Sequence, residues 1–264
     1  MADLSNTLFD LSGKNAIVTG ASRGIGEAIA QRFAQHGANV IVSSRDLEAC
    51  QNVAAGINET EDREAAHAIA CNISHTEQLE NLVAQGEEKI GKTDILVCNA
   101  AVNPYFGPSK DITDEQIDKI FNCNIKSNHK LSHLVAPSMT ERGGGAIVII
   151  SSISAFLGSP GIGMYGVSKA ADLQVARNLA VEYGPQNIRI NCIAPGVVKT
   201  YFAEALWKDP KVEAHVTGQI PLRRFGMPDD IAGAAVFLAS DAAAWMNGQH
   251  ITIDGGTVIS TGSL

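Results

Sequence analysis

Seven short apolar runs, each separated from the next by a longer amphipathic stretch, recur along the 264 residues of this chain. The runs cover residues 16–19, 40–42, 66–70, 95–98, 146–150, 188–193 and 249–253, and several are continuous enough to be buried on both faces. Six intervening stretches, 26–36, 47–59, 76–91, 114–139, 165–183 and 229–239, have helical spacing. Their ends have local causes. Ser74-x-x-Glu77 and Thr113-x-x-Gln116 fit capping boxes, Gly37, Gly91 and Gly184 fit C-terminal stops, and Pro185 forbids continuation. Strand–helix alternation predicts an α/β fold: a doubly wound, parallel, seven-stranded sheet with helices on both faces. No repeat or low-complexity linker divides the chain, so residues 1–264 read as a single domain. Residues 200–224 form the longest segment outside the pattern and interrupt the last crossover, the place for a lid or binding loop.

Composition narrows the partners. Twenty Lys and Arg against 28 Asp and Glu give a net charge of −8, with no basic block, which argues against nucleic acid and against an anionic membrane surface. A small-molecule partner is expected. The five cysteines, Cys50, Cys71, Cys98, Cys123 and Cys192, are scattered and form no C-x-x-C pair, as buried thiols in a reducing compartment would be. His129 and His133 stand four apart without an H-E-x-x-H companion, so no metal is expected. The N-terminus lacks a basic start followed by an apolar stretch, and no run approaches the ~18 apolar residues of a spanning helix, so a cytosolic location is expected.

Two constellations carry chemistry. After the first strand, Thr19-Gly20-Ala21-Ser22-Arg23-Gly24-Ile25-Gly26 spaces its glycines G-x-x-x-G-x-G. Small residues there let backbone N–H groups and the positive end of the next helix approach a pyrophosphate. Farther along, Tyr165 and Lys169 are four apart on a helix, which puts an ammonium beside a phenol and favours the ionised form. Ser152 precedes Tyr165 by thirteen residues. Gly166-Val167-Ser168-Lys169-Ala170 narrowly misses a nucleophile elbow and lies inside the same helix, so a hydrolase is rejected.

With these motifs the sequence resembles the short-chain dehydrogenase/reductase family over nearly its whole length. The family's T-G-x-x-x-G-x-G turn is Thr19–Gly26, its N-N-A-G segment appears as Cys98-Asn99-Ala100-Ala101, and its helical Asn is Asn124. The serine of its I-S-S strand end is Ser152, its Y-x-x-x-K pair is Tyr165 and Lys169, and its P-G turn is Pro195-Gly196 with Thr200. Cys98 and Ala101 depart from N-N-A-G, and Asn72 stands where many members have an adenine-contacting Asp. The resemblance implies a Rossmann-type sheet and a catalytic set of Asn124, Ser152, Tyr165 and Lys169. Tyr165 would give a proton to the carbonyl oxygen, Ser152 would hold that oxygen, and Lys169 would lower the phenol pKa and bind the nicotinamide ribose. Asn124 would position a water that resupplies protons. Cofactor contacts are implied for Gly20, Ser22, Arg23, Gly24, Ile25, Gly26, Ser44, Arg45, Asn72, Ile73, Asn99, Ala100, Tyr165, Lys169, Pro195, Gly196, Val198 and Thr200. Most members are homotetramers, and Ala170, Ala171, Leu173, Val175, Ala176, Leu179 and Val181 give the helix apolar residues around much of its circumference.

Cofactor choice turns on the end of the second strand. A carboxylate there would bind the 2′-OH of NAD, but Ser44 occupies the position, and Arg45 and Arg23 supply two guanidinium groups for a 2′-phosphate. NADP(H) is therefore expected, Asp46 being the rival that would serve NAD. The expected activity is carbonyl reduction or secondary-alcohol oxidation. A 3-oxoacyl-carrier-protein reductase is the second enzyme reading, weakened because Gly184-Pro185-Gln186-Asn187 offers no basic residues to an acidic carrier. A non-catalytic nucleotide sensor would be expected to have lost one of the four catalytic residues. The substrate walls are expected at 103–106, at 154–164 and at Tyr201, Phe202, Leu206 and Trp207, suited to an apolar or aromatic carbonyl compound.

Overall fold

The computed structural model describes residues 8–260. Seven parallel strands, β1 (Asn15–Thr19), β2 (Asn39–Ser44), β3 (Ala66–Ala70), β4 (Ile95–Cys98), β5 (Gly145–Ile150), β6 (Ile188–Pro195) and β7 (His250–Ile253), form one sheet in the order β3-β2-β1-β4-β5-β6-β7. Among the described residues, eight α-helices accompany it: α1 (Gly24–Gln35), α2 (Leu47–Glu61), α3 (Thr76–Ile90), α4 (Asp114–Phe121), α5 (Ser127–Glu141), α6 (Gly163–Tyr183), α7 (Pro210–Gln219) and α8 (Pro228–Ala239). Because side chains alternate along a strand, Ala16, Val18, Val40, Val42 and Val97 pack against α1, α2 and α8, while Ile17, Ile41, Leu96, Ile147 and Ile149 pack against α3, α5 and α6. The expected two-sided sheet is the result. Winding reverses between β1 and β4, and in such sheets the crevice beyond the strand ends at that point takes the ligand.

Element ends differ from the sequence reading where side chains compete for the backbone. The Thr113–Gln116 capping box forms, with Gln116 N donating to Thr113 Oγ1 at 3.3 Å and Thr113 N donating to Gln116 Oε1 at 3.1 Å. The Ser74–Glu77 box does not. Ser74 donates its hydroxyl (2.9 Å) and its backbone N–H (3.2 Å) to Asn72 Oδ1, so the helix starts at Thr76 as expected but with His75 instead of Ser74 at the N-cap. Gly37 and Gly91 take positive φ as expected of stops. Gly184 does not: its φ is −52°, the chain adds a 3₁₀ turn at Gly184–Gln186, and Asn187 takes the left-handed position instead. Proline fits the first turn of a helix, where its missing N–H costs nothing, so Pro185 ends α6 without ending the winding.

Two features lie inside segments read otherwise. The helix expected over 114–139 holds a π-turn at Asn122–Lys126 between α4 and α5. The segment 200–224, read as irregular, contains a 3₁₀ turn (Tyr201–Leu206) and α7. Helix α7 starts where Asp209 Oδ1 accepts the Lys211 N–H at 2.8 Å and Pro210 takes the first helical position, a start signal present in the sequence. Among the described residues no helix is long and apolar enough to cross a membrane. All five cysteines are free and buried. His129 and His133 face each other with Nε2 atoms 3.1 Å apart, and His133 also bonds the Tyr183 hydroxyl. No group of three or more candidate metal ligands occurs among the described residues.

Glycine substitutions test the packing at the reversal point. A Cβ on Gly26 would meet the Gly20 carbonyl oxygen and stand 2.5 Å from Asn99 Nδ2, whereas one on Gly233, inside α8, meets nothing within 4 Å. Gly26→Ala should lower stability by about 1–3 kcal/mol through overpacking. Gly233→Ala should raise it by about 0.5–1 kcal/mol through helix propensity. Urea unfolding midpoints of the two variants, compared with the parent, check both signs.

Candidate active site

The crevice is built from the ends of β1 and β4. Thr19 Oγ1 donates to Val97 O (3.1 Å) and accepts the N–H groups of Asn99 (3.1 Å) and Ala100 (3.2 Å). Asn99 Nδ2 donates back to the carbonyls of Thr19 and Gly20, both at 3.0 Å. This clasp draws the loop after β4 so close that a Cβ on Gly20 would stand 2.9 Å from Ala100 Cα, and Gly20 itself has φ +65°. Gly24 shares that φ and faces Thr200, whose Cγ2 would lie 3.2 Å from an added Cβ. Arg23, at the N-cap of α1, is extended and its side chain makes no capping bond. Ser22 and Ile25 are half-buried beside it. A cradle that glycine alone permits, at a helix N-terminus that no N-cap side chain closes, fits a dinucleotide pyrophosphate.

On the other side of the crevice, Ser152 follows β5 and caps a 3₁₀ turn (Ile153–Ala155), its hydroxyl accepting Ser154 N at 3.1 Å. Tyr165 lies in the first turn of α6, and Lys169 Nζ stands 5.7 Å from its ring centroid. The Lys169 ammonium donates to Ile150 O (2.9 Å) and to Asp172 Oδ2 (3.0 Å). Asn124 is fully buried in the π-turn. Its Oδ1 accepts Val102 N (2.8 Å), and its Nδ2 donates to Val102 O and Ser168 Oγ, each at 3.0 Å. The amide thus clamps the loop after β4 to α6. Ser168, inside the near-miss elbow motif, in turn donates to Tyr165 O at 2.7 Å, so its hydroxyl is engaged with its own helix and with Asn124.

Burial is the largest influence on the Tyr165 phenol and pushes its pKa up; Lys169 pulls it down, Asp172 pushes it further up, and the Ser152 hydroxyl pulls it down. The net direction is upward. Lys169 therefore acts in the expected sense but does not prevail, because the surrounding protein disfavours phenolate and Asp172 offsets the ammonium. Burial works against the Lys169 ammonium as well, but the charges of Asp172 and Tyr165 and the hydrogen bond to Asp172 outweigh it and hold it above the ordinary lysine value.

The remaining residues divide by place. At the end of β2, Ser44 Oγ accepts Asp46 N (3.1 Å), and Asp46 caps α2 by accepting Ala49 N (3.1 Å), so the Asp46 carboxylate is occupied in holding a helix. Arg45 is exposed and makes no hydrogen bond or ion pair among the described residues. The Arg23 guanidinium lies 4.3 Å from the centre of the Tyr201 ring. Asn72 spends Oδ1 on Ser74, and Ile73 is buried. Pro195 ends β6, and Gly196 lies so close to Asp254 that its Cβ would stand 2.7 Å from Asp254 Cα. The Val198 side chain is buried in the core layer that includes α1 and α8, and its backbone pairs with Gly226.

The start of the segment 200–224 reaches this site. The Phe202 ring centroid is 5.9 Å from that of Tyr165, and Trp207 Nε1 donates to Thr200 O at 2.9 Å. Tyr105, Ile162 and Met164 line a recess with Tyr165, and Gly107 N ties their two loops together through Gly161 O at 2.9 Å. Sequence reasoning missed Asn128, Ser168 and Asp172. A signal for Asp172 existed: it is a lone carboxylate in the apolar middle of α6.

A phosphate cradle at the winding reversal of a parallel sheet, facing a tyrosine–lysine pair, defines a nicotinamide-dependent oxidoreductase of the Rossmann type. Comparison with known proteins agrees. A family profile described as enoyl-(acyl carrier protein) reductase matches residues 20–258. Dehydrogenase/reductase SDR family member 4 of Homo sapiens is 42% identical over 248 residues, covering 94% of this chain and 88% of that protein. A 7α-hydroxysteroid dehydrogenase solved with NADH and 7-oxo glycochenodeoxycholic acid superposes with a TM-score of 0.90 at 39% identity, covering 96% of both chains. A gluconate 5-dehydrogenase from Burkholderia cenocepacia J2315, solved with NADP and tartrate, gives 0.91 at 28% identity, covering 97% of this chain and 100% of that one. The chain belongs to the short-chain dehydrogenase/reductase family, and it is an oxidoreductase.

If the 200–224 segment closes over the crevice, its exchange behaviour must depend on occupancy. Amide hydrogen exchange from Thr200 to Arg224 should slow when NADP(H) and an unreactive carbonyl analogue are added together. Equal protection with and without them would mark the segment as fixed.

Proposed function

We propose that the protein reduces carbonyl compounds, or oxidises the matching secondary alcohols, with NADP(H). The observation that carries the reading is the convergence of Ser152, Tyr165 and Lys169 opposite the glycine cradle. When bound, the nicotinamide supplies or accepts the hydride. The residues do the rest. Ser152 holds the substrate oxygen through its hydroxyl, and Tyr165 gives that oxygen a proton as negative charge develops there. Lys169 keeps the phenol within reach of ionisation and has an N–H left for the ribose. Phe202, Tyr105 and Met164 supply apolar surface that favours an apolar or aromatic carbonyl and excludes water. Asn124 holds the floor of the site in place from the π-turn. The free thiols of all five cysteines suit the reducing cytosol, and the exposed Val181 and Trp245 suit burial in a homotetramer.

NADP(H) is favoured over NAD(H) by the free Arg45, by the exposed Arg23 and by the use of Asp46 as a helix cap. Each guanidinium contact with a 2′-phosphate is worth roughly 1.5–3 kcal/mol, or about one to two decades of preference. Arg45→Ala should erase much of that preference. Adding Ser44→Asp should turn it toward NAD(H), because the carboxylate repels the phosphate and accepts the free 2′-OH. The ratio of kcat/KM for the two nucleotides decides: a parent enzyme that prefers NADH would show that both arginines are bystanders.

Tyr165→Phe keeps the ring and removes the proton, so turnover should fall by at least ~100-fold with nucleotide affinity little changed. Wild-type turnover in that variant would overturn the mechanism. The direction of the Tyr165 shift also fixes a pH dependence. A phenol raised above its ordinary value stays protonated through neutral and mildly alkaline pH, so carbonyl reduction should hold there and fail only as pH rises through the raised pKa. Alcohol oxidation needs the phenolate and should climb about tenfold per pH unit over the same range. Paired pH profiles of kcat in the two directions test this.

A further inference from the structure

Asp172 brings a carboxylate into the middle of α6, three residues after Lys169, and no step above uses it. It is 0% exposed, and Lys169 and Asn128 are each 2% exposed. Asp172 Oδ2 accepts from Lys169 Nζ at 3.0 Å, and its Oδ1 accepts from Asn128 Nδ2 at 3.0 Å. That same Nδ2 donates to the backbone carbonyl of Asn124 at 2.6 Å. Turned over, the Asn128 amide would set its oxygen against two acceptors, so its orientation is locked. Burial pushes the Asp172 carboxyl above its ordinary value, while the Lys169 ammonium and the hydrogen bonds from Lys169 and Asn128 pull it down. With Lys169 held protonated and both carboxylate oxygens bonded, one by that cation, the carboxylate form is the one this geometry supports.

Lys169 has three N–H groups. Ile150 O and Asp172 take two, leaving one for the side where Tyr165 stands. We propose that Asp172 is a positioning residue for the reaction: it anchors the Lys169 ammonium and partly cancels its field at Tyr165, which keeps the phenol in the neutral, proton-donating form. This rests on the reading of Tyr165 as the acid. The other titratable groups facing the pair are Cys98 from β4 and Cys192 from β6. Burial pushes both thiols far above their ordinary range, so they stay neutral where the enzyme works. Arg177, farther along α6, acts on Cys192, and the π-turn and α5 present the amides Asn124 and Asn128. Asp172 is therefore the fixed negative charge that this pair meets.

The sign of its effect does not depend on which partner yields a proton first. Tyr165 and Lys169 titrate together, and carbonyl reduction needs both protonated. Removing a nearby negative charge eases the first proton loss whether the phenol or the ammonium supplies it.

Asp172→Asn removes the charge and keeps the shape. Two midpoints are read: the alkaline limb of kcat for carbonyl reduction, and, in the cofactor-free protein, the carbon NMR titration of ring-labelled tyrosine, with Tyr165 assigned through Tyr165→Phe. Both should move to lower pH by at least about one unit. Midpoints that stay in place or move up in a folded variant overturn the proposal, because a merely structural residue would change the melting temperature and leave them alone. If Asp172→Asn folds poorly, the double change Asp172→Leu with Asn128→Leu removes the same charge without leaving an unpaired amide, and the same shift is expected. Should Tyr165→Phe prove fully active, the catalytic reading fails by itself, while the NMR midpoint still decides the role of Asp172.

Discussion

The clasp between Thr19 and Asn99 holds the molecule's chemistry in register. Five hydrogen bonds among Thr19, Gly20, Val97, Asn99 and Ala100 tie the ends of β1 and β4, the two strands between which winding reverses. At that point the helices after the two strands leave on opposite faces, and a crevice opens that has no side chains of its own to fill it. Holding its walls together demands backbone-to-backbone approach, and glycine at positions 20 and 26 is the consequence. The same approach sets the glycine turn on one wall and the loop that reaches Asn124 on the other.

From that crevice inward, polar groups are stabilised by mutual satisfaction. Lys169, Asp172, Asn128 and Asn124 form a continuous buried seam from α6 to the π-turn, and each of its members has a partner of matching character. Burying a charge pair contributes little net stability once desolvation is counted, and its effect lies in geometry and in ionisation. The π-turn serves the same seam. One extra residue in the helical ladder rotates the start of α5, so Asn124 can reach both Val102 and Ser168 while Asn128 reaches Asp172. An uninterrupted α-helix over 114–139 would present those two side chains differently. Above the seam, Phe202 packs against Tyr165 and Arg23 lies over the Tyr201 ring, so one segment touches both Tyr165 and the glycine turn.

Family resemblance picked out Asn124, Ser152, Tyr165 and Lys169 as candidates because they sit at fixed spacing on elements whose order the sequence displays. It did not reveal the balance of charge around Tyr165. That balance depends on how deeply the phenol is packed and on a carboxylate that no family motif contains. Val198, implied by the motif as a cofactor contact, has its apolar side chain in the core. Ser74 and Gly184 show another limit, since a neighbouring Asn72 or Pro185 offered the backbone an alternative that a capping rule applied to one position does not weigh.

The amino-acid sequence by itself determined the seven strands, their parallel order as a class, the sites of the glycine turn and the Tyr165–Lys169 pair, and the arginines inside that turn and just after β2. Those are properties of periodicity and local spacing, which act over a few residues. The tertiary structure alone decided which apolar side chains share a layer, that the long helix takes a π-turn, that Phe202 packs on Tyr165 and the segment 200–224 has a helix of its own, and that Asp172 meets Lys169 and Asn128 in the interior. Each of these joins residues far apart in the chain or buries a charge. Its free energy depends on the packing and dielectric around it, and those exist only once the chain has folded.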